Sequence, residues 1–342
     1  MSAALSVGIV GCGLIGRKRA EAMADDKVVG CVDIVPAAAE ALARDTGAEV
    51  LPTFEALLEM RPDIVIVATT HDRLAPLAIR ALESGAHVLV EKPAGISSAD
   101  VERVAAAASR VGKLVKVGFN HRFHAGIARA VEEARSGRYG EVMFVRGRYG
   151  HGGRVGYDRE WRADPVHSGG GELIDQGMHL LDLSHWLLGP LPLHSALLRT
   201  QFWDAPVEDN AALLLGEAER RDAPWATLHV TWTEWKNLFS LEIYCRTAKL
   251  HVDGLVRSYG PQTLRIYRMR PELGPPDVEE VVSDGVDRSW EREWRNFADA
   301  IRGGDDSTLL GTLDDAHYAW TVVEDAYRRS GWTAEMREPV GR

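Results

Sequence analysis

The stretch Gly11-Cys12-Gly13-Leu14-Ile15-Gly16 constrains this chain more than any other, because of what flanks it. With 33 glycines among 342 residues, a Gly-x-Gly-x-x-Gly pattern arises by chance about 0.3 times per chain, so the spacing alone is weak. Here it follows an apolar run, Leu5–Val10, and opens an amphipathic segment, the order strand, tight turn, helix. Gly11 permits the turn, Gly13 leaves the backbone open to a pyrophosphate, and Gly16 lets helix and strand pack closely. The helix start, with Leu14 and Ile15, brings free N–H groups and a partial positive charge to the phosphates. Asp33 ends the second apolar run, 17 residues beyond Gly16, where a carboxylate accepts hydrogen bonds from an adenosine ribose diol and repels a 2′-phosphate. Ile34, neither basic nor hydroxylic, follows it, so NAD is expected over NADP.

Up to about residue 120, short apolar runs alternate with amphipathic segments, the pattern of a parallel sheet covered on both faces. Strands are expected near Leu5–Val10, Val28–Val32, Ile64–Ala68, His87–Glu91 and Val115–Phe119, with helices such as Leu74–Glu83 and Ala99–Arg110 between them. After Phe119 the rhythm changes. A helix near Ile127–Arg135 and a strand Met143–Tyr149 lead to a Gly/Arg-rich loop, and a glycine triplet, Gly169–Gly171, opens a helix from about Leu173 to Leu188. Runs near Leu193–Phe202, Asn210–Glu217, Ala226–Thr233, Phe239–Cys245 and Lys249–Val252 follow without intervening helices, so their sheet is expected to be mostly antiparallel. Helices near Trp290–Arg302 and Leu313–Arg329 end the pattern. The expected architecture is α/β: a doubly wound parallel sheet over 1–122, then an α/β domain over 123–342 with a large, open-faced sheet, the terminal helices returning to the first domain. An apolar sheet face seldom stays bare, which makes a homodimer or homotetramer through that face the expected assembly.

Composition bounds the partners. A formal charge of −10, from 50 acidic and 40 basic residues, argues against nucleic acid. No basic leader or long apolar window is present, so membrane and secretion are unsupported and the cytoplasm is expected. Cys12, Cys31 and Cys245 form no Cys-x-x-Cys, which argues against disulfides and a thiolate metal site, and no metal is expected.

Candidate chemistry lies at strand ends and on one helix. Thr69, Thr70 and His71 follow the Ile64–Ala68 strand, where ligand contacts collect in such sheets; His71 fits a solvated loop equally well. Glu91-Lys92-Pro93 follows the next, and the proline fixes the backbone so that Lys92 faces the crevice where a substrate hydroxyl would lie. Asp175 and His179 stand four apart, hence on one helical face, as a carboxylate–imidazole pair, and the glycines before them admit close approach of a ligand. Asn120, Arg122 and His124, together with Arg159-Glu160-Trp161-Arg162, supply polar and aromatic groups at the crevice; Trp161, Trp232 and Trp235 are the aromatic candidates. Glu160 and Glu234 are candidates for a cationic group, or for the basic residues beside them.

The chain resembles the Gfo/Idh/MocA oxidoreductases. The resemblance rests on Gly11–Gly16, on Ala68–Pro93 ending in Val88-Leu89-Val90-Glu91-Lys92-Pro93, on Val117-Gly118-Phe119-Asn120-His121-Arg122-Phe123, and on Gly169–His179, and it covers nearly the whole length. Thr70-His71 stands where that family commonly has Pro-Asn, and Leu74 where it commonly has His. The resemblance implies a catalytic trio of Lys92, Asp175 and His179, and NAD held by Gly11, Gly13, Leu14, Ile15, Gly16, Asp33, Thr69, Thr70, His71, Glu91, Lys92, Asn120 and Trp161. It implies a sugar, aminosugar or cyclitol on Lys92, Asn120, Arg122, Trp161, Asp175, His179 and Trp235. The implied reaction is hydride transfer from a ring carbinol while His179 removes the hydroxyl proton. Trp232-Thr233-Glu234-Trp235-Lys236-Asn237 resembles a subgroup that oxidises an aminosugar hydroxyl in aminoglycoside biosynthesis. Three rivals remain: an NAD-dependent glycoside hydrolase, a ligand sensor without catalysis, and a methyltransferase. Lys92 and His179 weigh against the second, and the Asp175–His179 helix against the third.

Overall fold

A computed structural model describes residues 4–23, 25–272, 274–303, 305–307 and 309–332. The last ten residues of the expected second domain, 333–342, lie outside the described residues. The chain forms two compact units, one running to Asn120 and including Ser289–His317, the other His121–Arg288 with the chain from Tyr318 onward.

In the first unit six strands, β1 (Ser6–Val10), β2 (Lys27–Val32), β3 (Glu49–Val50), β4 (Ile64–Val67), β5 (His87–Val90) and β6 (Val115–Val117), pair in the order β3-β2-β1-β4-β5-β6, every pair parallel. All four residues of β4 are buried, as both faces of a covered parallel sheet require. Five helices intervene: α1 (Leu14–Glu21), α2 (Pro36–Thr46), α3 (Phe54–Glu59), α4 (His71–Glu83) and α5 (Ser98–Val111). α4 buries Leu74, Ala75, Ala78, Ala81 and Leu82, one stripe at helical spacing. At the head of α5, Ser97 accepts the N–H of Asp100 at 3.2 Å while Asp100 accepts that of Ile96 at 2.8 Å. The two-residue β3 escaped the sequence reading because Glu49-Val50 carries no periodicity.

The helix Ser289–Gly303 is part of this first unit, not of the second as a simple division at residue 122 would have it. Trp294, Phe297 and Ala298 join Val7, Ile9, Cys31, Ile64 and Ile66 in one core. The same helix brings Glu293 to Arg19. That guanidinium, almost fully buried, pairs with both Glu293 and Glu91, the latter at 2.6 Å, and lies against the Trp290 ring at 4.4 Å. Two carboxylates and a ring face together replace the water that Arg19 gives up.

The second unit is an eight-stranded sheet in the order β14-β13-β12-β11-β7-β10-β9-β8. Its strands are β7 (Val142–Gly150), β8 (Leu193–Arg199), β9 (Asn210–Leu215), β10 (Trp225–Thr231), β11 (Leu238–Cys245), β12 (Ala248–Asp253), β13 (Thr263–Arg268) and β14 (Asp277–Val282). Only β7 and β10 pair in parallel. α6 (Ala125–Arg135) turns Ile127, Ala130, Val131 and Ala134 inward. On the opposite face Arg146, Arg148, Leu197, His229 and Glu242 border a hollow of about 400 Å³. Among the described residues no helix is long and apolar enough to cross a membrane.

Removing one carboxylate from the Arg19 cluster leaves a buried cation short of a partner. Glu293→Ala is expected to cost about 3 kcal/mol, read as a lowered midpoint in urea unfolding of the first unit.

Candidate active site

The first unit holds the glycine turn and the residues expected around a dinucleotide. Gly11 has φ +91°, and a Cβ there would come 2.2 Å from the carbonyl oxygen of Ala68; one on Gly16 would come 2.0 Å from that of Gly11. Both glycines are therefore required by the protein's own packing. Gly13 differs: a Cβ would meet nothing within 4 Å, so the backbone before α1 is bare, and no side chain caps that helix. A pyrophosphate fits such a cradle. Leu14 is exposed beside it and Ile15 half-buried.

Asp33 stands at the end of β2 and also braces the turn: it accepts the Cys12 N–H at 2.6 Å and the Val35 N–H at 2.8 Å. Each oxygen retains a second lone pair for a ribose hydroxyl. Past β4, Thr69 is half-buried and Thr70 donates its hydroxyl to Asp72 at 2.6 Å. His71 is not a solvated loop residue, since it is buried in the first turn of α4. Glu91, expected at the cofactor, has its carboxylate committed to Arg19. Lys92, half-buried, precedes Pro93 across a cis peptide bond. Asn120 is buried and donates to the Ser289 hydroxyl at 3.2 Å.

The second unit brings Asp175 and His179 onto one element whose geometry departs from the expected single α-helix. Leu173–Gly177 is a π turn, and the α-helix begins only at Met178 and runs to Leu188. Such wide turns are frequent at functional sites. Asp175 stands 3.4 Å from Arg162, and its carboxylate, the Glu172 carboxylate and the His151 imidazole lie within 4.8 Å of one another. His179, 6% exposed, stacks on the His121 ring at 3.7 Å and 22°, with Tyr149 tilted beside both.

The His151, Glu172 and Asp175 group has the residue types of a metal centre, but its imidazole is turned the wrong way. His151 Nδ1 accepts the Gly153 N–H at 2.9 Å. Burial holds this histidine below its usual pKa, so the ring is neutral and its proton sits on Nε2, a donor and not a ligand lone pair. Tyr149, Tyr157 and Tyr259 around it are all pushed up, first by burial, with Asp175 and Glu172 adding to it and Tyr259 adding to the shift of Tyr149, which keeps their hydroxyls protonated.

Several expectations change. Arg122, expected at the substrate, is buried with its guanidinium in a fork on Asp182, at 2.6 and 2.9 Å. Trp232 is core, packed with Tyr157 and Val207. Trp161 is half-buried under the Arg162 guanidinium at 4.5 Å, whereas Trp235 is 67% exposed and meets Phe202 edge to face. Glu160 pairs with Arg154 at 2.6 Å. His124, buried, lies 3.9 Å from Asp287. Two glycines of the triplet are required by the protein's own packing: a Cβ on Gly170 would come 2.0 Å from the Tyr327 hydroxyl, and one on Gly171 equally close to the Glu208 carbonyl. His121 and Glu172 lie inside the family's motifs but are given no role by them, and His151 and Glu208 carry no sequence signal, being single polar residues outside any spaced pattern.

A parallel sheet with a bare glycine turn at its first helix, joined in sequence to a mostly antiparallel sheet unit bearing an Asp/His helix, defines a class of nucleotide-binding α/β proteins. Residues 5–119 match the NAD-binding Rossmann fold of the Gfo/Idh/MocA oxidoreductase family and residues 127–251 match that family's C-terminal domain, so this chain belongs to it. It is 30% identical over 229 residues to inositol 2-dehydrogenase of Rhizobium meliloti (strain 1021), covering 63% of this chain and 66% of that protein. It is also 30% identical over 199 residues to D-glucoside 3-dehydrogenase of Escherichia coli (strain K12), 55% of each. Matches to such curated relatives span from about half to two thirds of their length. Among solved structures, GenD2 from gentamicin A biosynthesis in complex with NAD superposes with a TM-score of 0.81 at 26% identity, covering 97% of this chain and 95% of that one.

Burial pushes Glu208 up to about 7 from the ordinary 4.5. The folded chain therefore holds a proton that the unfolded chain has released, and stability from this group is full below about 4.5 and lost as pH rises to about 7, an effect of about 3 kcal/mol. Thermal melts across this range are expected to show that slope in the native chain and not in Glu208→Gln.

Proposed function

We propose that this protein is an NAD-dependent dehydrogenase acting on a secondary hydroxyl of a sugar, aminosugar or cyclitol ring, or on the matching ketone. The observation that carries the reading is His179, a buried imidazole one turn after Asp175 in the second unit of a chain whose first unit has a bare phosphate turn. Bound nicotinamide supplies the hydride acceptor. His179 takes the hydroxyl proton as the carbinol loses its hydride, since imidazole exchanges a proton near neutrality. Asp175 stabilises the cation that forms. Lys92 donates a hydrogen bond to the oxygen as negative charge gathers on it.

Asp33 favours NAD over NADP through repulsion of a 2′-phosphate. Trp235, with its exposed face, and Trp161 are the aromatic surfaces offered to ring C–H groups. An aminoglycoside precursor oxidised at its 3-hydroxyl is the finer assignment, supported by the likeness to GenD2. The exposed Leu197 and the stacked Phe144, Trp225 and Tyr244 rings on the second sheet support self-association through it as a homodimer or homotetramer. Three buried, free cysteines suit the cytoplasm.

A panel of inositols, free sugars, glycosides, sugar nucleotides and aminoglycosides, each with NAD⁺, tests the reading by the absorbance of the reduced cofactor. Lys92→Ala and His179→Ala are expected to abolish turnover and retain NAD binding; near-normal turnover in both removes the assignment. Asp33→Ser is expected to weaken NAD binding, since the Cys12 brace is lost with the ribose contact, and to shift preference towards NADP. Unchanged selectivity in cofactor titrations takes Asp33 out of the ribose site.

A further inference from the structure

The helix bearing Asp175 and His179 starts without a cap of its own: no side-chain hydrogen bond caps its first turn at Glu172. A helix start leaves its first N–H groups without intrahelical acceptors, and inside a protein these need partners. Three in succession go to one residue, Glu208, which is itself fully buried just before β9. Its Oε2 accepts the Gly171 N–H at 3.1 Å, its main-chain oxygen the Glu172 N–H at 3.0 Å, and its Oε1 the Leu173 N–H at 3.0 Å. Oε1 also accepts the Tyr327 hydroxyl at 2.9 Å, and that hydroxyl lies 3.3 Å from the Gly171 nitrogen. Gly170 and Gly171 are the residues that let the backbone come this close.

We propose that Glu208, with Tyr327, is a positioning residue for the reaction: by capping this helix from another element it fixes the π turn, and so the placement of the Asp175 carboxylate relative to the His179 ring. The inference rests on the reading of those two residues as the acid–base pair. A local Ser or Asp would cap the helix as well for stability. A remote carboxylate also anchors it to the root of β9, and a π turn needs an anchor because relaxation to ordinary α geometry moves the residues before it by part of a turn against those after it. The partial positive charge of the helix start favours the ionised form that accepts two of these bonds, against the burial that pushes the carboxyl up to about 7.

Glu208→Gln and Tyr327→Phe test this with two readouts that share no assumption. Amide exchange over residues 170–178 reads the cap directly. Steady-state kinetics with the best alcohol of the panel reads placement, as kcat against the KM for NAD⁺. Expected for Glu208→Gln are faster exchange and a kcat lowered roughly tenfold to a hundredfold, with the KM for NAD⁺ within about twofold; Tyr327→Phe shows both effects more weakly. Where no alcohol is turned over, the His179 ring signals by NMR stand in for kcat and are expected to move. A folded Glu208→Gln protein with unchanged kcat, or unmoved ring signals, overturns the proposal even if exchange quickens, because the cap is then structural only. If Glu208→Gln does not fold, Tyr327→Phe decides by the same criteria. Turnover surviving Asp175→Asn and His179→Ala instead overturns the acid–base reading, and leaves exchange and ring signals to judge Glu208 separately.

Discussion

Unsatisfied N–H groups at a helix start demand an acceptor, and both units of this protein are organised around meeting that demand through glycines. Ahead of α1 the turn Gly11–Gly16 leaves Gly13 bare, with Asp33 reaching the Cys12 N–H from within the chain. That helix start remains available to an anion from outside, which is the physical content of a phosphate site. Ahead of the Asp175–His179 helix the same residue type does the opposite. Gly170 and Gly171 close the backbone onto Tyr327 and Glu208, and the acceptor is a carboxylate of the chain itself. Two glycine-rich helix starts thus differ in function because one is left open and the other is filled.

Buried charge is handled by multiple partners in each unit. Arg19 sits between Glu91 and Glu293 under the Trp290 ring, and Arg122 is forked on Asp182. Such pairs add little net stability over apolar substitutes, but removing one partner strands the other as a buried charge. The Arg19 cluster also fixes the end of β5, since Glu91 follows that strand and is the neighbour of Lys92. His179 is held by ring stacking on His121, which orients an imidazole without using either of its nitrogens.

The family's phosphate turn, the parallel strands and the Asp175–His179 element were legible because each rests on local order: a glycine spacing after an apolar run, a run of Val and Ile, a four-residue interval. What escaped had no local signature. β14 carries Glu279 and Glu280 within an exposed, charged strand, and β13 buries only Leu264 and Ile266 as apolar side chains beside Arg265 and Arg268, too short an apolar run to stand out. The π turn is invisible because Leu173–Gly177 fits an α pattern as well. Arg122, apparently a polar residue beside a site, proved to be a buried ion pair whose partner lies 60 residues on.

The sequence by itself determined the family, the nucleotide turn, the acidic residue after β2 and the four-residue interval between Asp175 and His179, because each is fixed by neighbours a few positions apart. Tertiary structure alone decided what those residues face. It gave Glu91 and Arg122 to internal ion pairs, put Trp232 in the core and left Trp235 exposed. It also made two glycines of the triplet, Gly170 and Gly171, the seat of Tyr327 and Glu208. The reason is that a polar or aromatic side chain takes its role from the partner that replaces its water, and in a folded chain that partner comes from tens of residues away.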